Sequence, residues 1–352
     1  MNKTFRDNLI TYGMVIAAYV IMQILVSAGA VSSLLQGLLV PLCTYAILAV
    51  SLNLTVGILG ELSLGHAGFM CIGAFTSAFF SKVMENTAMP SGLRFFVALL
   101  IGAAFAGIFG LLIGIPVLRL KGDYLAIVTL AFGEIIKNLV NILFVGLDEN
   151  GFHISFTNTM DLNMSEDGDV IIKGAQGITG TPHDSNFTIG IVLLLVTLFI
   201  VLNLIHSRDG RAIMAIRDNT IAAESVGIHI TKYKLMAFSI SAALAGVAGV
   251  LYAHNLSTLT ALPKNFGYNM SIMILVFVVL GGIGNIRGSI IASVILTLLP
   301  ELLRGLNDYR MLIYSIVLIV MMLFNWAPKC IEWREKVAAG FKSKKSVKKE
   351  AE

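Results

Sequence analysis

The sequence predicts an all-α polytopic membrane protein, and three observations carry that prediction. Of its 352 residues, 57% are hydrophobic and only 13% are charged, whereas soluble domains carry about 25% charged residues. The apolar residues are grouped in runs long enough to cross a bilayer, which takes about 20 residues in a helix. The runs are uniformly apolar, without the alternation that barrel strands require. A soluble multidomain protein, a disordered chain and a disulfide scaffold are thereby excluded.

About ten runs are predicted to form membrane-spanning helices. They lie at residues 9–29, 34–55, 64–83, 94–118, 123–147, 187–206, 234–255, 268–281, 287–304 and 309–327. The first run is too long for the apolar part of a signal peptide and is interpreted as a span. Because the last run ends at residue 327, we predict a transmembrane domain over residues 1–328, followed by a basic tail over 329–352.

The charges on the connections predict the orientation. Basic residues concentrate in the cytoplasmic segments of membrane proteins, and the segment 207–233 and the tail 329–352 are both basic. The segment 148–186 carries seven acidic residues against one lysine and is predicted to be external. An even number of crossings must then separate 207–233 from the tail, so the chain breaks and crosses back at Gly281-Gly282-Ile283-Gly284. Both termini are predicted to be cytoplasmic.

Several functional classes find no support in the residues. The tail alone accounts for the net charge of +4, so the basic balance indicates orientation and contact with lipid, and no nucleic-acid partner is expected. The three cysteines form neither a disulfide framework nor a metal-binding spacing. No catalytic constellation and no metal-ligand cluster is present, so we expect no catalytic residues, no metal and no enzymatic activity.

A glycine-rich stretch interrupts the second and third runs. The sequence Gly57-Ile-Leu-Gly-Glu-Leu-Ser-Leu-Gly-His-Ala-Gly-Phe69 holds four glycines, which weaken a helix. Discontinuous helices frequently line the substrate site of transporters. The hypothesis is that Ser63, Gly65, His66 and Gly68 line a substrate path. The alternative is that they serve helix packing alone.

The fifth run contains polar residues at helical spacing. Glu134, Lys137, Asn138 and Asn141 share one helix face. Ionisable groups at this depth are costly and usually face the interior or a wet cavity. Glu134, Lys137 and Asn138 are therefore candidates for the substrate path. Glu134 and Lys137 could instead form a structural pair.

Two stripes of small residues predict close helix packing. They are Gly102, Ala106, Gly110 and Gly114 in the fourth run, and Ala242, Ala245, Gly246 and Gly249 in the seventh. Small residues at this spacing let two helix backbones approach closely.

Five stretches, taken together, resemble one family: the permease subunits of branched-chain amino acid ABC importers, of the LivM type within the LivH/LivM permeases. The stretches are ELSLGHAGFM (61–70), GDYLAIVTLAFGE (122–134), GRAIMAIRDN with its continuation to Lys234 (210–234), SAALAGVAG (241–249) and GGIGNIRG (281–288). Their order matches the family over most of residues 40–305.

The resemblance implies a multi-subunit importer in a bacterial or archaeal cell membrane. Its partners would be a second, LivH-type permease, two ABC ATPases and an external substrate-binding protein. Leucine, isoleucine and valine are the expected cargo, although the related urea and short-amide importers share much of the pattern. This chain contains no GxxxxGK[ST] motif, which normally cradles nucleotide phosphates. ATP and Mg²⁺ are therefore expected on the partner ATPases, with no cofactor in this chain.

The segment 207–233 resembles the coupling element of the family, which docks on an ATPase. The residues carried over to this role are Gly210, Arg211, Arg217, Asp218, Ala222, Ala223, Glu224 and Gly227, and the glycine-rich break adds Gly281, Gly282 and Gly284. Alternating access driven by ATP is the expected mechanism, and charge reversal at Arg217 or Asp218 is expected to uncouple it. An ion-coupled secondary transporter that uses Glu134, and a channel, are the alternatives.

Overall fold

The computed structural model describes residues 3–85, 89–120, 122–148, 151–162, 164–165, 168–303 and 309–326. These residues form thirteen α-helices: α1 Lys3–Ser27, α2 Ser33–Asn53, α3 His66–Val83, α4 Ser91–Val117, α5 Asp123–Ile142, α6 Phe187–His206, α7 Arg208–Asp218, α8 Thr220–Ser225, α9 Ile230–Ala253, α10 Pro263–Phe266, α11 Tyr268–Gly281, α12 Ile286–Leu302 and α13 Arg310–Trp326. The predicted tail, 329–352, lies outside the described residues.

The helical membrane class is confirmed. Seven spans within the described residues are long and apolar enough to cross a membrane. They correspond to α1, α2 with its extension to residue 59, α4, α5, α6, α9, and α10 together with α11. The other three predicted spans are also helical, as α3, α12 and α13, with 18, 17 and 17 residues. The number of crossings and the orientation remain predictions.

Helix α2 lies at the centre of the bundle. The most apolar window of the span Ser33–Leu59 is 94% buried within the chain, whereas that of α4 is only 22% buried. Helix α9 packs against α2, α3 and α4. Because α2 contacts protein on all sides, its polar side chains must find hydrogen-bond partners within the bundle.

The two stripes of small residues pack against each other, as the sequence predicts. A Cβ atom on Gly246 of α9 would lie 2.5 Å from the Cβ of Ala106 on α4, and one on Gly110 would lie 2.6 Å from the Cβ of Ala242. Carbon atoms pack at about 3.5–4.0 Å, so these positions have no room for a larger side chain. The stripes therefore set the close approach of α4 and α9.

The fifth predicted span ends earlier than expected. Helix α5 stops at Ile142, and the predicted helical residues 144–147 belong instead to strand β1, Phe144–Asp148. Strand β1 pairs antiparallel with β2, Gly151–Ser155, and β3, Asp169–Lys173, in the order β2-β1-β3. The pairing partners come from the acidic segment, which explains why an apolar run leaves the helix. A second, two-stranded sheet joins β4, Ile178–Thr179, to β5, Thr258–Leu259.

The chain divides into two compact units at residues 293 and 294. The first unit contains α1 to α11, both sheets and the first part of α12. All the contacts of the candidate site described below lie within this unit. The second unit contains the end of α12 and helix α13, several of whose apolar side chains are exposed: Leu312, Ile316, Ile319, Val320 and Leu323.

Candidate functional site

The predicted interruption of the second helix is present. Helix α2 continues as a π-helical turn, Leu54–Leu59, and this turn ends at Gly60, whose φ is +80°. Residues 60–65 are not helical, and α3 begins at His66. We call residues 54–65 the first break. π-Helical turns within longer helices are rare and frequently occur at functional sites.

Hydroxyl groups hold the start of the first break. Thr55 Oγ1 donates to Ser241 Oγ on α9 over 2.8 Å, and Ser241 Oγ donates to the backbone carbonyl of Ser51 over 2.5 Å. All three residues are buried. This chain of hydrogen bonds fixes the π-helical turn to α9, because breaking it would leave buried polar groups unpaired.

His66 is held within the bundle. The hydroxyl oxygen of Ser51 lies 2.9 Å from the carbonyl oxygen of Leu48 and 2.7 Å from His66 Nε2, so it forms a hydrogen bond with the imidazole. His66 is 2% exposed, so in this conformation the side chain ties the first residue of α3 to α2.

The other three predicted path residues of this region, Ser63, Gly65 and Gly68, lie against α5 or within the core. A Cβ atom on Gly65 would lie 2.4 Å from the carbonyl oxygen of Thr129, and one on Gly68 would lie 2.7 Å from the Cα of Gly133. These glycines therefore permit backbone contact between the first break, α3 and α5. Ser63 is 1% exposed, and its hydroxyl has no hydrogen-bond partner among the described residues.

Glu134 and Lys137 form an ion pair on α5. The lysine side chain is 8% exposed and the glutamate side chain 25%. Glu134 Oε1 also accepts the backbone N–H of Tyr268, the first residue of α11, over 2.7 Å. A carboxylate at a helix N-terminus is favoured by the unpaired N–H groups and the helix dipole. Asn138, one turn beyond Glu134, is exposed.

The predicted coupling segment folds into two short helices, α7 and α8. Gly210 permits the turn from α6, since a Cβ there would lie 2.0 Å from the carbonyl oxygen of Leu204. Arg211 Nη1 donates to the carbonyl of His206 over 3.1 Å. These two predicted coupling residues therefore shape the connection between α6 and α7.

Arg217 reaches the first break from the end of α7. Its Nη1 donates to the carbonyl oxygen of Gly57 over 3.0 Å, and its side chain packs over Gly60. Its other guanidinium nitrogens donate to Asp218 over 2.8–3.0 Å. The structure thus brings together two groups that the sequence predicted separately, the coupling segment and the glycine-rich break.

Helix α8 presents most of its surface outward. Ala223 is buried, whereas Ala222, Glu224 and Gly227 are exposed. The largest exposed apolar side chains here are Ile221 and Val226, at 81% and 75% exposure. These two exposed apolar side chains make the segment a candidate contact surface.

The second glycine-rich break lies directly against the first. Helix α11 ends at Gly281, and Gly282 and Gly284 have φ values of +93° and +81° before α12 begins at Ile286. A Cβ on Gly57 would lie 2.4 Å from the amide nitrogen of Gly284. We call residues 281–285 the second break.

Asn53 joins the two breaks. Its Oδ1 accepts the N–H of Gly284 over 2.8 Å, and its Nδ2 donates to Ser289 Oγ over 2.8 Å. Asn53 is fully buried. Neither Asn53 nor Ser241 was assigned a role from the sequence, although a small polar residue inside a long apolar run is a usable signal.

A further ion pair holds the first break to α9. Lys234 pairs with Glu61, and the two side chains are 13% and 15% exposed. Both residues occur in motifs that the sequence analysis used for the resemblance, but neither was assigned a role. Four elements therefore meet around the first break: α5, α7, α9 and the second break.

The apolar helices, the two breaks and the segment 207–233 folded against them define a polytopic membrane protein. The family model for the permease component of branched-chain amino acid transport systems matches residues 33–324, and the chain belongs to this family. No solved structure matches the chain.

Named relatives agree with the family. The chain is 36% identical over 294 residues to the high-affinity branched-chain amino acid transport system permease protein LivM of Salmonella typhimurium, covering 81% of this chain and 67% of the relative. LivM of Escherichia coli K12 is also 36% identical, with the same coverage. LivH of Escherichia coli K12 is 24% identical over 80% of this chain and 89% of the relative.

Proposed function

We propose that this chain is one permease subunit of an ATP-driven ABC importer of branched-chain amino acids in a bacterial cell membrane. The observation that carries the proposal is the contact between the coupling segment and the first break, through Arg217 and Gly57. Family membership and the likeness to LivM support it. A likeness to both LivM and LivH further supports a second permease as the partner.

The proposed partners fit different surfaces. On the cytoplasmic side, the exposed Ile221 of α8 and Val226 directly after it would dock in an ATPase that holds ATP and Mg²⁺. On the outside, the segment 148–186 would contact a substrate-binding protein. Asp148 and Asp184 are engaged within the chain, with His153 and Arg94 respectively, so exposed acids such as Asp161 and Asp169 would supply the electrostatic attraction.

The substrate path would run beside α5 and the breaks. Ser63, Gly65, His66 and Gly68, with Glu134, Lys137 and Asn138 on α5, remain its proposed lining. Ser63, Gly65, His66 and Gly68 are closely packed in this conformation. Alternating access would therefore require the first break to separate from α5. Ten crossings with both termini cytoplasmic are part of the proposal. Cysteines introduced at Asn158 and Glu224 should then react with impermeant reagents from opposite sides of the membrane.

The assembly is tested by purification in mild detergent from the source cell. We expect a tagged chain to retain a second permease and two ATPases. Replacement of Ile221 by Asp should release the ATPases and leave the permease pair intact, because the charge falls on an exposed apolar contact. Lys232→Ala, on the same segment, is the matched control. Recovery of the wild-type chain without any ATPase would contradict the proposal.

The cargo and energy source are tested in proteoliposomes that contain the purified complex and the binding protein. We expect leucine uptake to require ATP, to resist uncouplers and to be reduced by unlabelled isoleucine or valine. Uptake that persists without ATP and collapses with an uncoupler would identify ion coupling. Non-saturable downhill flux would identify a channel, and competition by urea or acetamide alone would assign the complex to the amide importers.

A further inference from the structure

Helix α7 is held against the first break by apolar as well as polar contacts. Ile213 and Ile216 on its inner face are 0% and 1% exposed. Ile213 lies in one buried cluster with Leu54, Ile58 and Leu59 of the π-helical turn. Close packing of this kind resists separation, so a displacement of α7 is passed to the π-helical turn.

Arg217 adds a directional link to this packing. Its guanidinium donates to the Gly57 carbonyl, and its aliphatic part covers Gly60 at the end of the turn. The charge of the donor makes this a stronger hydrogen bond than one between neutral groups. Although its side chain is 36% exposed, Arg217 directs a donor toward its own chain.

Asn53 and Gly57 link the second break mechanically to the first. The Asn53 side chain bonds both Gly284 and Ser289, which lie on either side of the start of α12. The backbones of Gly57 and Gly284 are in such close contact that no side chain fits between them. A movement of the π-helical turn must therefore either carry the second break with it or break two buried hydrogen bonds.

From these contacts we infer that Arg217 and Asn53 are the positioning residues of an internal relay, through which the α7–α8 segment moves both breaks together. The inference rests on the proposed function for the source of the movement, the ATPase. It goes beyond the sequence-based expectation, in which Arg217 and Asp218 belong to the coupling segment and charge reversal at either residue uncouples transport. The relay assigns docking to α8 and transmission to Arg217.

The relay is tested first without transport, by hydrogen–deuterium exchange on the purified complex. Arg217→Ala should raise amide exchange at least threefold in peptides that cover residues 54–61 and 282–289. Asn53→Ala should raise it in 282–289. Lys232→Ala is the matched control; it removes a positive charge of the same segment, whose Nζ lies over the Tyr233 ring, 6.0 Å from its centroid. Unchanged exchange in both breaks of a folded Arg217→Ala variant would overturn the inference.

The second measurement is leucine uptake per ATP hydrolysed. Arg217→Ala should retain its bound ATPases and hydrolyse ATP within about twofold of wild type, while uptake per ATP falls about tenfold, the factor that corresponds to loss of one hydrogen bond to a charged group. Arg217→Lys, which keeps the charge, should fall between the two. Loss of the ATPases from Arg217→Ala would restore the docking role, and unchanged uptake per ATP would remove the relay. Absence of uptake in the wild type would refute the proposed function, while the exchange measurement would still test the link.

Discussion

The ion pair between Glu134 and Lys137 gives the sharpest prediction. Its side chains are 25% and 8% exposed. Glu134→Gln leaves the lysine charge without its counter-charge, and Lys137→Met leaves the carboxylate with only the Tyr268 N–H. Breaking a fully buried pair costs about 3–5 kcal/mol. Because Glu134 is a quarter exposed, we expect each single replacement to cost less than that range, about 2–3 kcal/mol.

The double variant Glu134→Gln with Lys137→Met separates two roles. Neither residue then carries a charge, so we expect it to be more stable than either single variant, with a coupling energy of about 2 kcal/mol. Thermal unfolding in detergent, followed by size-exclusion fluorescence, measures this difference. If the pair is structural, leucine uptake should also return to within about twofold of wild type. If the pair lines the path, stability should return while uptake remains low.

Two outcomes would contradict the reasoning about this pair. The first is that both single variants unfold at the wild-type temperature. The second is that the losses of the two single variants simply add in the double variant, which would show that the charges do not interact. Asn138→Ala serves as a control for the site, because it changes an exposed residue of the same helix without altering a charge.

Two further predictions concern packing and the external segment. Gly73→Ala should lower stability by about 1–3 kcal/mol, because its Cβ would lie 2.3 Å from a backbone carbonyl of α9, whereas Gly37→Ala, with nothing within 4 Å, should not; thermal unfolding in detergent compares them. Arg94→Gln should loosen the external segment, since Arg94 and Asp184 pair at 2.9 Å with only 11% and 12% exposure. Faster proteolysis of 148–186 from the outside would confirm it, and an unchanged cleavage rate would contradict it.

The sequence predicts the helices well because the bilayer leaves few alternatives. An apolar run of about 20 residues must satisfy its own backbone, and a helix does so locally. The end of α5 was predicted wrongly because the residues 144–147 are as apolar as the helix before them. Strand β2 follows them directly, but their other pairing partner, β3, lies farther along the chain, where Ile172 pairs with Val145. No local pattern contains that information.

The candidate site was predicted as a set of segments, without their contacts. Glycines marked both breaks because a helix tolerates them poorly. Their partners depend on tertiary packing, so the contact of Gly65 with Thr129 could not be predicted. For the same reason, the sequence placed Arg217 in the coupling segment without indicating its contact partner. Its direction toward Gly57 depends on how α7 folds back, which charge patterns do not specify.

The π-helical turn of residues 54–59 holds more residues over its length than an α-helix would. A π-helical turn holds more residues than an α-helical one, because each hydrogen bond spans five residues instead of four. If these six residues returned to α-helical spacing, everything after them would advance by about 1.5 Å and rotate by about 100° per residue gained. Gly60, Ser63 and His66 would then face different neighbours without any span unfolding. A change of spacing within this one turn would therefore alter which side chains the following residues present to α5, α7 and α9.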